Sequence, residues 1–168
     1  MKKISYQGEL GAYSHLACKE AMTDYESVPC RTFEAALNCV REEKADLAMI
    51  PVENSVAGRV ADIHYLLGDY DLKIYAEHFQ EVKHQLLAKK GTTIDEIKFV
   101  RSHSMAIGQC QSAIQRLNLT PIVMADTAGS AKHISEIGTN EDSAIASHLA
   151  AEIYGLEILK SDIQDMKH

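Results

Sequence analysis

Apolar and polar positions along the chain switch between a two-residue and a helical period, and each switch marks a predicted element. The first predicted strands are residues 3–7, 26–29 and 47–50, and the predicted helices between them are residues 13–22 and 33–43. Thr32 stands directly before the second helix and is its predicted N-cap. Strands connected through helices in this way pair in parallel, so the order predicts a βαβαβ unit.

The same order of patterns recurs in the second half of the chain, without clear sequence identity to the first half. Its predicted strands are residues 98–101, 122–125 and 143–146, and its predicted helices are residues 105–117 and 128–137. A further helix over residues 147–154, with Gly155 at its C′ position, leads into a last strand over residues 156–159. We therefore predict an α/β fold of two similar βαβαβ lobes.

The predicted lobes are joined through residues 72–89, of which residues 73–79 partly alternate as a strand does. This segment and the last strand would both cross between the lobes. We expect residues 1–168 to be one catalytic region, with lobe 1 at about residues 1–75 plus 156–168 and lobe 2 at about residues 80–155. A two-lobed protein of this kind binds its ligand in the cleft and closes by hinge motion.

Composition narrows the class of partner. The net charge of −7 and the pI near 5.6 provide no long-range attraction for nucleic acid or anionic membranes, so we expect neither partner. No apolar stretch is long enough for a signal peptide or a membrane span. The four cysteines fit no zinc or disulfide pattern and no histidines pair at metal-ligand spacing, so we expect reduced thiols, a cytoplasmic location and no metal.

The loop that follows the third predicted strand is the most informative stretch. It contains Glu53, Asn54 and Ser55, and it precedes a helical pattern that begins near Val60. Ligands of open α/β sheets bind outside the carboxyl ends of the strands, where this loop is expected. An amide and a hydroxyl can bind a carboxylate or hydroxyl without adding charge. The alternative is that Asn54 and Ser55 only form a turn.

Five motifs together resemble those of prephenate dehydratases. Residues 53–60 resemble E-N-S-x-x-G-x-V, residues 8–14 resemble G-x-x-G-x-Y/F-S, and residues 102–110 are similar to S-H-P-x-A-L-x-Q-C. Residues 126–128 resemble D-T-A, and residues 144–156 resemble A-I-A…A-A…Y-G-L. The motifs occur in the family's order over nearly the whole chain. Two positions depart from it, since Glu9 and Ser104 stand where the family usually has proline.

The resemblance implies a two-lobed fold similar to type II periplasmic binding proteins and a lyase of phenylalanine biosynthesis that converts prephenate to phenylpyruvate, water and carbon dioxide. It implies no cofactor, because aromatisation drives the reaction, and we expect the intact protein to be a homodimer. The expected catalytic residues are Asn54, Ser102 and Gln109. The expected substrate-binding residues are Glu53, Ser55, Gly58, His103, Thr127 and Ser14.

Read without the family, several of these residues have simpler explanations. Ser102 ends a strand and could cap the next helix, and Thr127 with Asp126 could do the same one motif later. Gln109 lies about 200° around its helix from Ile107, at 100° per residue, so it faces away from the apolar stripe. A glutamine there is solvated unless the helix borders the cleft.

The family carries a Thr-Arg-Phe motif just after the segment that corresponds to residues 165–168, and its threonine is usually assigned the acid role. A regulatory ACT domain often follows. We therefore expect the 168 residues to be a truncated catalytic region that binds prephenate and turns it over poorly. The alternatives are a two-lobed small-molecule binding module and a degenerate homologue without catalysis.

Overall fold

The computed structural model describes residues 1–166, which form two units. The first unit is Met1–Glu9 with Tyr13–Gln80, and the second is Leu10–Ala12 with the chain from Glu81 onward. Strands β1 (Lys3–Gln7), β2 (Glu26–Cys30) and β3 (Leu47–Met49) form a parallel sheet in the first unit, in the order β2-β1-β3. This arrangement confirms the predicted βαβαβ unit.

Helices connect the strands of the first unit. They are α1 (Tyr13–Ala21), α2 (Phe33–Arg41) and, after the short strands β4 (Glu53–Asn54) and β5 (Gly58–Arg59), α3 (Ala61–Asp69). Thr32 caps α2 as predicted, because its hydroxyl accepts from the Ala35 N–H at 3.1 Å. Ile4, Tyr6 and Cys18 are fully buried and form the centre of the core between sheet and helices.

The second unit is built on a five-stranded sheet in the order β10-β6-β9-β7-β8. Its strands are β6 (Gln85–Lys89), β7 (Phe99–Ser102), β8 (Thr120–Val123), β9 (Asp142–Ala146) and β10 (Leu156–Lys160), and its helices are α4 (Ser104–Gln109), α5 (Gln111–Arg116), α6 (Thr127–Ile137) and α7 (His148–Tyr154). Strand β7 pairs in parallel with both β8 and β9. The order β8-β7-β9 therefore repeats the order β2-β1-β3, and the prediction of two similar lobes is confirmed.

Both faces of the second sheet are buried. Along β9, Ile145 packs in one apolar cluster with residues of α4 and α5, whereas Ala144 and Ala146 pack in another with residues of α6 and α7. Successive side chains of a strand point to opposite faces, so the two clusters lie on opposite sides of the sheet. All five residues of β9 are buried, which is typical of a central strand covered on both faces.

The last strand corrects one prediction. We expected residues 156–159 to return to lobe 1, but β10 pairs antiparallel with β6 inside the second unit. Gly155, at φ 64°, ends α7 in the left-handed region and reverses the chain at once, so β10 reaches the nearest sheet edge, along β6. The assignment of residues 156–168 to lobe 1 is therefore wrong for the described residues up to 166; residues 167–168 lie outside the described chain.

Three smaller differences concern element boundaries. The helix predicted over residues 105–117 is two helices, because the backbone at Cys110 leaves helical geometry at φ −121° and ψ 22°. The strand predicted over residues 122–125 is β8, which lies two residues earlier. Residues 73–79 form no strand, and β6 is the extended part of the connecting segment that enters a sheet.

Candidate functional site

The hairpin of β4 and β5 carries four of the predicted site residues. The Asn54 side-chain Oδ1 accepts from the N–H groups of Val56 and Ala57, each at 2.9 Å, and Gly58 adopts a positive φ of 82°. The turn interpretation is thus confirmed for Asn54. With Oδ1 committed to the turn, the group that Asn54 can offer a ligand is its side-chain NH₂, which is a donor.

The other predicted residues of the first unit lie in two places. Glu53, Ser55 and Gly58 are exposed in the same hairpin, so the structure brings them together with Asn54. Ser14 lies in the first turn of α1 and is partly buried, on an element separate from the hairpin.

Ser102 is the last residue of β7 and is completely buried. Its hydroxyl donates to the Ile145 carbonyl of the neighbouring strand β9 at 2.7 Å. Ser102 therefore does not cap the next helix. That role belongs to His103, whose Nδ1 accepts from the Met105 N–H at 3.2 Å. The hydrogen bond to Ile145 fixes the end of β7, from which His103 and α4 extend.

Gln109 ends α4 and is held at both its side chain and its main chain. Its side-chain Oε1 lies 2.7 Å from Nε2 of His84, and its carbonyl accepts from the Asp165 N–H at 2.7 Å. The Asp165 carboxylate accepts in turn from the Ser112 N–H at the start of α5, at 3.1 Å. Gln109 is thus partly buried and ordered, and not the solvated glutamine of the simpler explanation.

Thr127 is the first residue of α6 and is partly buried. Asp126 is the N-cap of this helix: its side chain accepts from the Gly129 N–H, and its carbonyl accepts from the Ser130 hydroxyl at 2.7 Å. The capping interpretation is confirmed for Asp126. Thr127 is left beside the capped N-terminus, where backbone N–H groups favour negative charge.

Three strand ends of the second unit share one edge. Because β7 is parallel to both neighbours, Ser102, the segment before Asp126, and Ser147 after β9 lie at the same carboxyl edge. The Met124 N–H donates to the Ser102 carbonyl at 2.8 Å, which joins two of these ends directly. The edge therefore places His103 and Thr127 on adjacent connections, as expected of a ligand-binding edge.

Two residues of this region were missed by sequence reasoning. Ser147 is buried, donates to the Gly11 carbonyl at 2.6 Å and accepts from the Ala150 N–H at 3.1 Å. His84 contacts Gln109 from 25 positions earlier in the chain. A serine before a helix is a recognisable N-cap signal, whereas no spacing in the sequence connects His84 with Gln109.

Two basic side chains of the second unit, Arg101 and His84, carry no unbalanced positive charge. Arg101, the cation next to Ser102, pairs with Asp142 at 3.1 Å, and both side chains are largely buried. Burial lowers the pKa of His84 below its ordinary 6.5, opposed by its hydrogen bond with Gln109, so its ring is neutral at pH 7. Within residues 1–166 no three Cys, His, Asp or Glu side chains group so as to hold a metal ion.

Comparison with protein families gives a match over nearly the whole chain. Residues 4–168 match the family model described as prephenate dehydratase. A bifunctional N-acyl-homoserine lactone acylase/prephenate dehydratase of Komagataeibacter europaeus is 46% identical over 98% of this chain and 59% of its own length. The chloroplastic arogenate dehydratase/prephenate dehydratase 2 of Arabidopsis thaliana is 40% identical over 97% of this chain and 43% of its own length.

Solved structures agree with these relatives. GqqA, described as a novel type of quorum quenching acylase, superposes with a TM-score of 0.93 at 45% identity, over 98% of this chain and 60% of that one. The prephenate dehydratase of Arthrobacter aurescens in complex with L-Phe superposes with a TM-score of 0.89 at 29% identity, over 98% of this chain and 56% of that one. The chain thus spans at most about three fifths of these relatives. No helix within residues 1–166 has the length and apolar character to cross a membrane.

Proposed function

Because the chain belongs to the prephenate dehydratase family, we propose that it converts prephenate to phenylpyruvate in phenylalanine biosynthesis. The ring carboxylate leaves as carbon dioxide, its bonding electrons enter the forming aromatic ring, and the ring hydroxyl leaves with a proton as water. The observation that carries the proposal is the family match over residues 4–168, which includes every predicted site residue.

The chain's own residues suit a reaction whose barrier lies in charge separation. A departing hydroxyl gains negative charge, and preorganised neutral donors lower its free energy most in a site that excludes water. Asn54 can supply its side-chain NH₂ group, because only its Oδ1 takes part in the turn. Gln109 can supply the NH₂ group of an amide whose oxygen is held by His84. We propose that these two act as donors and that Glu53, Ser55, Gly58, His103, Thr127 and Ser14 contact the substrate.

Ser102 requires a narrower role. The Ser102 hydroxyl donates its hydrogen bond to the Ile145 carbonyl. In a direct contact with substrate, its oxygen would therefore act as an acceptor. We propose that its main contribution is to fix the end of β7 and thereby the start of α4. By resemblance, we assign the general acid to the threonine of the family's Thr-Arg-Phe motif.

The test is phenylpyruvate formation by the protein as its gene encodes it, with variants at Asn54. Asn54→Asp keeps the Oδ1 acceptor that holds the turn and removes the NH₂ donor, whereas Asn54→Ala removes both. Both should lower kcat on the order of 100- to 1,000-fold, the usual cost of one preorganised donor. Gln115→Ala, at an exposed position of α5, is the matched control and should turn over normally. Normal turnover by Asn54→Asp would refute the donor role.

The acid role of that threonine is tested by assaying the 168 residues beside a longer chain that carries the Thr-Arg-Phe motif. Removal of a positioned general acid costs roughly 100- to 10,000-fold, whereas residual positioning still exceeds the spontaneous rate. Equal and efficient turnover by both would show that the acid lies within these residues. Arogenate should be offered in the same assay, because relatives 38–42% identical act, by their names, on arogenate.

A second activity is favoured by one observation, the similarity to the bifunctional relative and to GqqA at 45–46% identity. We propose N-acyl-homoserine lactone hydrolysis as this candidate. Release of homoserine lactone from a long-chain substrate, followed by mass spectrometry, tests it. Formation of phenylpyruvate without such release would leave dehydration as the activity of this protein.

The location and assembly are proposals of the same kind. The four cysteines are all unpaired, which suits a reducing compartment, and we propose the cytoplasm. We also propose that the intact protein is a homodimer that needs no nucleic acid, membrane or cofactor. Light scattering of the purified protein measures the mass, and a monomer at micromolar concentration would refute the dimer.

A further inference from the structure

His84 is a buried histidine that the mechanism above does not use directly. It is 3% exposed and stands immediately before β6. Its N–H donates to Oε1 of Gln164 and its carbonyl accepts from the Ile163 N–H, both at 2.9 Å. The main chain of His84 is therefore fixed, and its nearly complete burial restricts the rotation of its imidazole.

The His84 imidazole contacts the side chain of Gln109, and the proposed mechanism does not by itself require this contact. The distance of 2.7 Å between Nε2 of His84 and Oε1 of Gln109 is that of a good hydrogen bond. The same C-terminal segment that holds His84 also holds Gln109, since the Asp165 N–H donates to the Gln109 carbonyl at 2.7 Å. Both partners are thus anchored to residues 163–165 independently of their mutual contact.

The chemistry of the pair sets the direction of the hydrogen bond. An amide oxygen only accepts, so Nε2 of His84 must carry the hydrogen that faces it. Burial lowers the pKa of His84, so the ring at pH 7 is neutral and carries its single N–H at Nε2. With its oxygen accepting from His84, Gln109 directs its NH₂ group to the other side.

We propose that His84 is a positioning residue, which orients the Gln109 amide so that the NH₂ group, and not the oxygen, is presented to the substrate. This rests on the proposed function, in which Gln109 donates to the leaving oxygen. If His84 instead carried its hydrogen on Nδ1, the Gln109 amide would rotate by about 180°. Its NH₂ group would then donate to His84, and its oxygen, an acceptor, would face the substrate. An acceptor would repel developing negative charge, so the histidine tautomer decides whether Gln109 assists the reaction.

Kinetics of five variants in the protein as its gene encodes it test the proposal. His84→Leu should lower kcat by roughly 100-fold or less with KM little changed, since misplacement of about 1 Å costs this much. His84→Gln should recover most of the rate, because its amide NH₂ can donate to the same oxygen. In the Gln109→Ala background, His84→Leu should cause no further loss. His64→Leu, at an exposed position of α3, is the control and should be normal.

The outcomes separate this inference from the proposed function. If Gln109→Ala turns over normally, the catalytic role of Gln109 in the proposed function fails. If Gln109→Ala is slow while His84→Leu is normal, or the two losses multiply in the double variant, positioning by His84 is refuted. Urea unfolding of each variant shows that it is folded.

A spectroscopic measurement on the 168-residue chain tests the direction of the hydrogen bond between His84 and Gln109 directly. The ¹⁵N shifts of the two imidazole nitrogens of His84 should report hydrogen on Nε2 in the unsubstituted chain. In Gln109→Glu the carboxylate still accepts but has no NH₂ group, so hydrogen should remain on Nε2 of His84 while turnover is lost. Hydrogen on Nδ1 of His84 in the unsubstituted chain would overturn the proposal.

Discussion

Substitution of Gly11 by alanine tests the close contact between this residue and α7. Gly11 adopts a φ of +90°, and a Cβ built on it would lie 2.8 Å from the Cα and 2.9 Å from the Cβ of Ala150 in α7. Both residues belong to the second unit. The Gly11 carbonyl also accepts from Ser147, directly before the same helix, at 2.6 Å. Gly11 is therefore packed on α7, and a glycine is required there for two separate reasons, its positive φ and the close approach of Ala150.

The magnitude follows from adding the two effects. A non-glycine residue in the left-handed region costs roughly 1–2 kcal/mol. Insertion of a methyl group into a packed contact costs about 1–3 kcal/mol, and here the nearest atom is backbone, which cannot rotate away. Gly11→Ala should therefore lower the free energy of unfolding of the second unit by about 2–5 kcal/mol.

Gly91→Ala is the matched control. Gly91 has a similar φ of +83° in the same unit, but nothing lies within 4 Å of the position that its added methyl group would take, so it measures backbone strain alone. Urea unfolding followed by far-UV circular dichroism gives both values, since the chain has no tryptophan. Gly11→Ala should be the more destabilised by about 1–3 kcal/mol. Equal destabilisation of the two variants would refute the close contact with α7.

Three further predictions concern titration and metal. Burial lowers the pKa of His15 and His84 below 6.5, so the unfolded chain binds protons more readily than the folded chain does. The urea midpoint of unfolding should therefore fall as pH drops from about 7 to 5. A midpoint that does not change over this range would contradict the prediction. Burial raises the pKa of Cys18 and Cys110 to about 12, so iodoacetamide should modify these two thiols far more slowly in the folded chain at neutral pH than in urea. The stability that these neutral thiols contribute should be lost as pH rises from about 9 to 12. Fast labelling of either thiol in the folded chain would contradict its burial. Cysteine, histidine and carboxylate spacings suit no metal site, so dialysis against EDTA should leave prephenate binding and the urea midpoint unchanged; loss of either would contradict this.

Local elements were predictable because their signals are local. β1 begins and ends at the predicted residues, and the caps at Thr32 and Asp126 form as expected. Apolar periodicity and capping side chains act within a few residues, so a single sequence carries them. The repeated order of the strands followed from the repeated order of patterns and from the rule that such crossovers connect parallel strands.

Choice of partner was not predictable in the same way. β10 was expected in lobe 1 and pairs with β6, because the edge a strand joins depends on the turn that Gly155 makes and on which edge is near. The Ser102 hydroxyl was interpreted as a possible helix cap, and it donates instead across the sheet to Ile145, 43 positions later. Such contacts come from tertiary register, which no local pattern contains.

The hydrogen bonds within each unit bear on the proposed reaction, in which a chain with a net charge of −7 would act on a dianion. Arg101, which precedes Ser102 in the sequence, is paired with Asp142. The oxygens of the Asn54 and Gln109 side chains are both committed inside the protein, to the turn and to His84. Asn54 therefore has only its NH₂ group to offer, and the Gln109 amide is oriented by His84 with its NH₂ group on the other side. In the proposed reaction, two such neutral donors would attract the substrate only weakly at rest. They would stabilise an oxygen that gains charge as it leaves, which would lower the barrier more than it tightens binding.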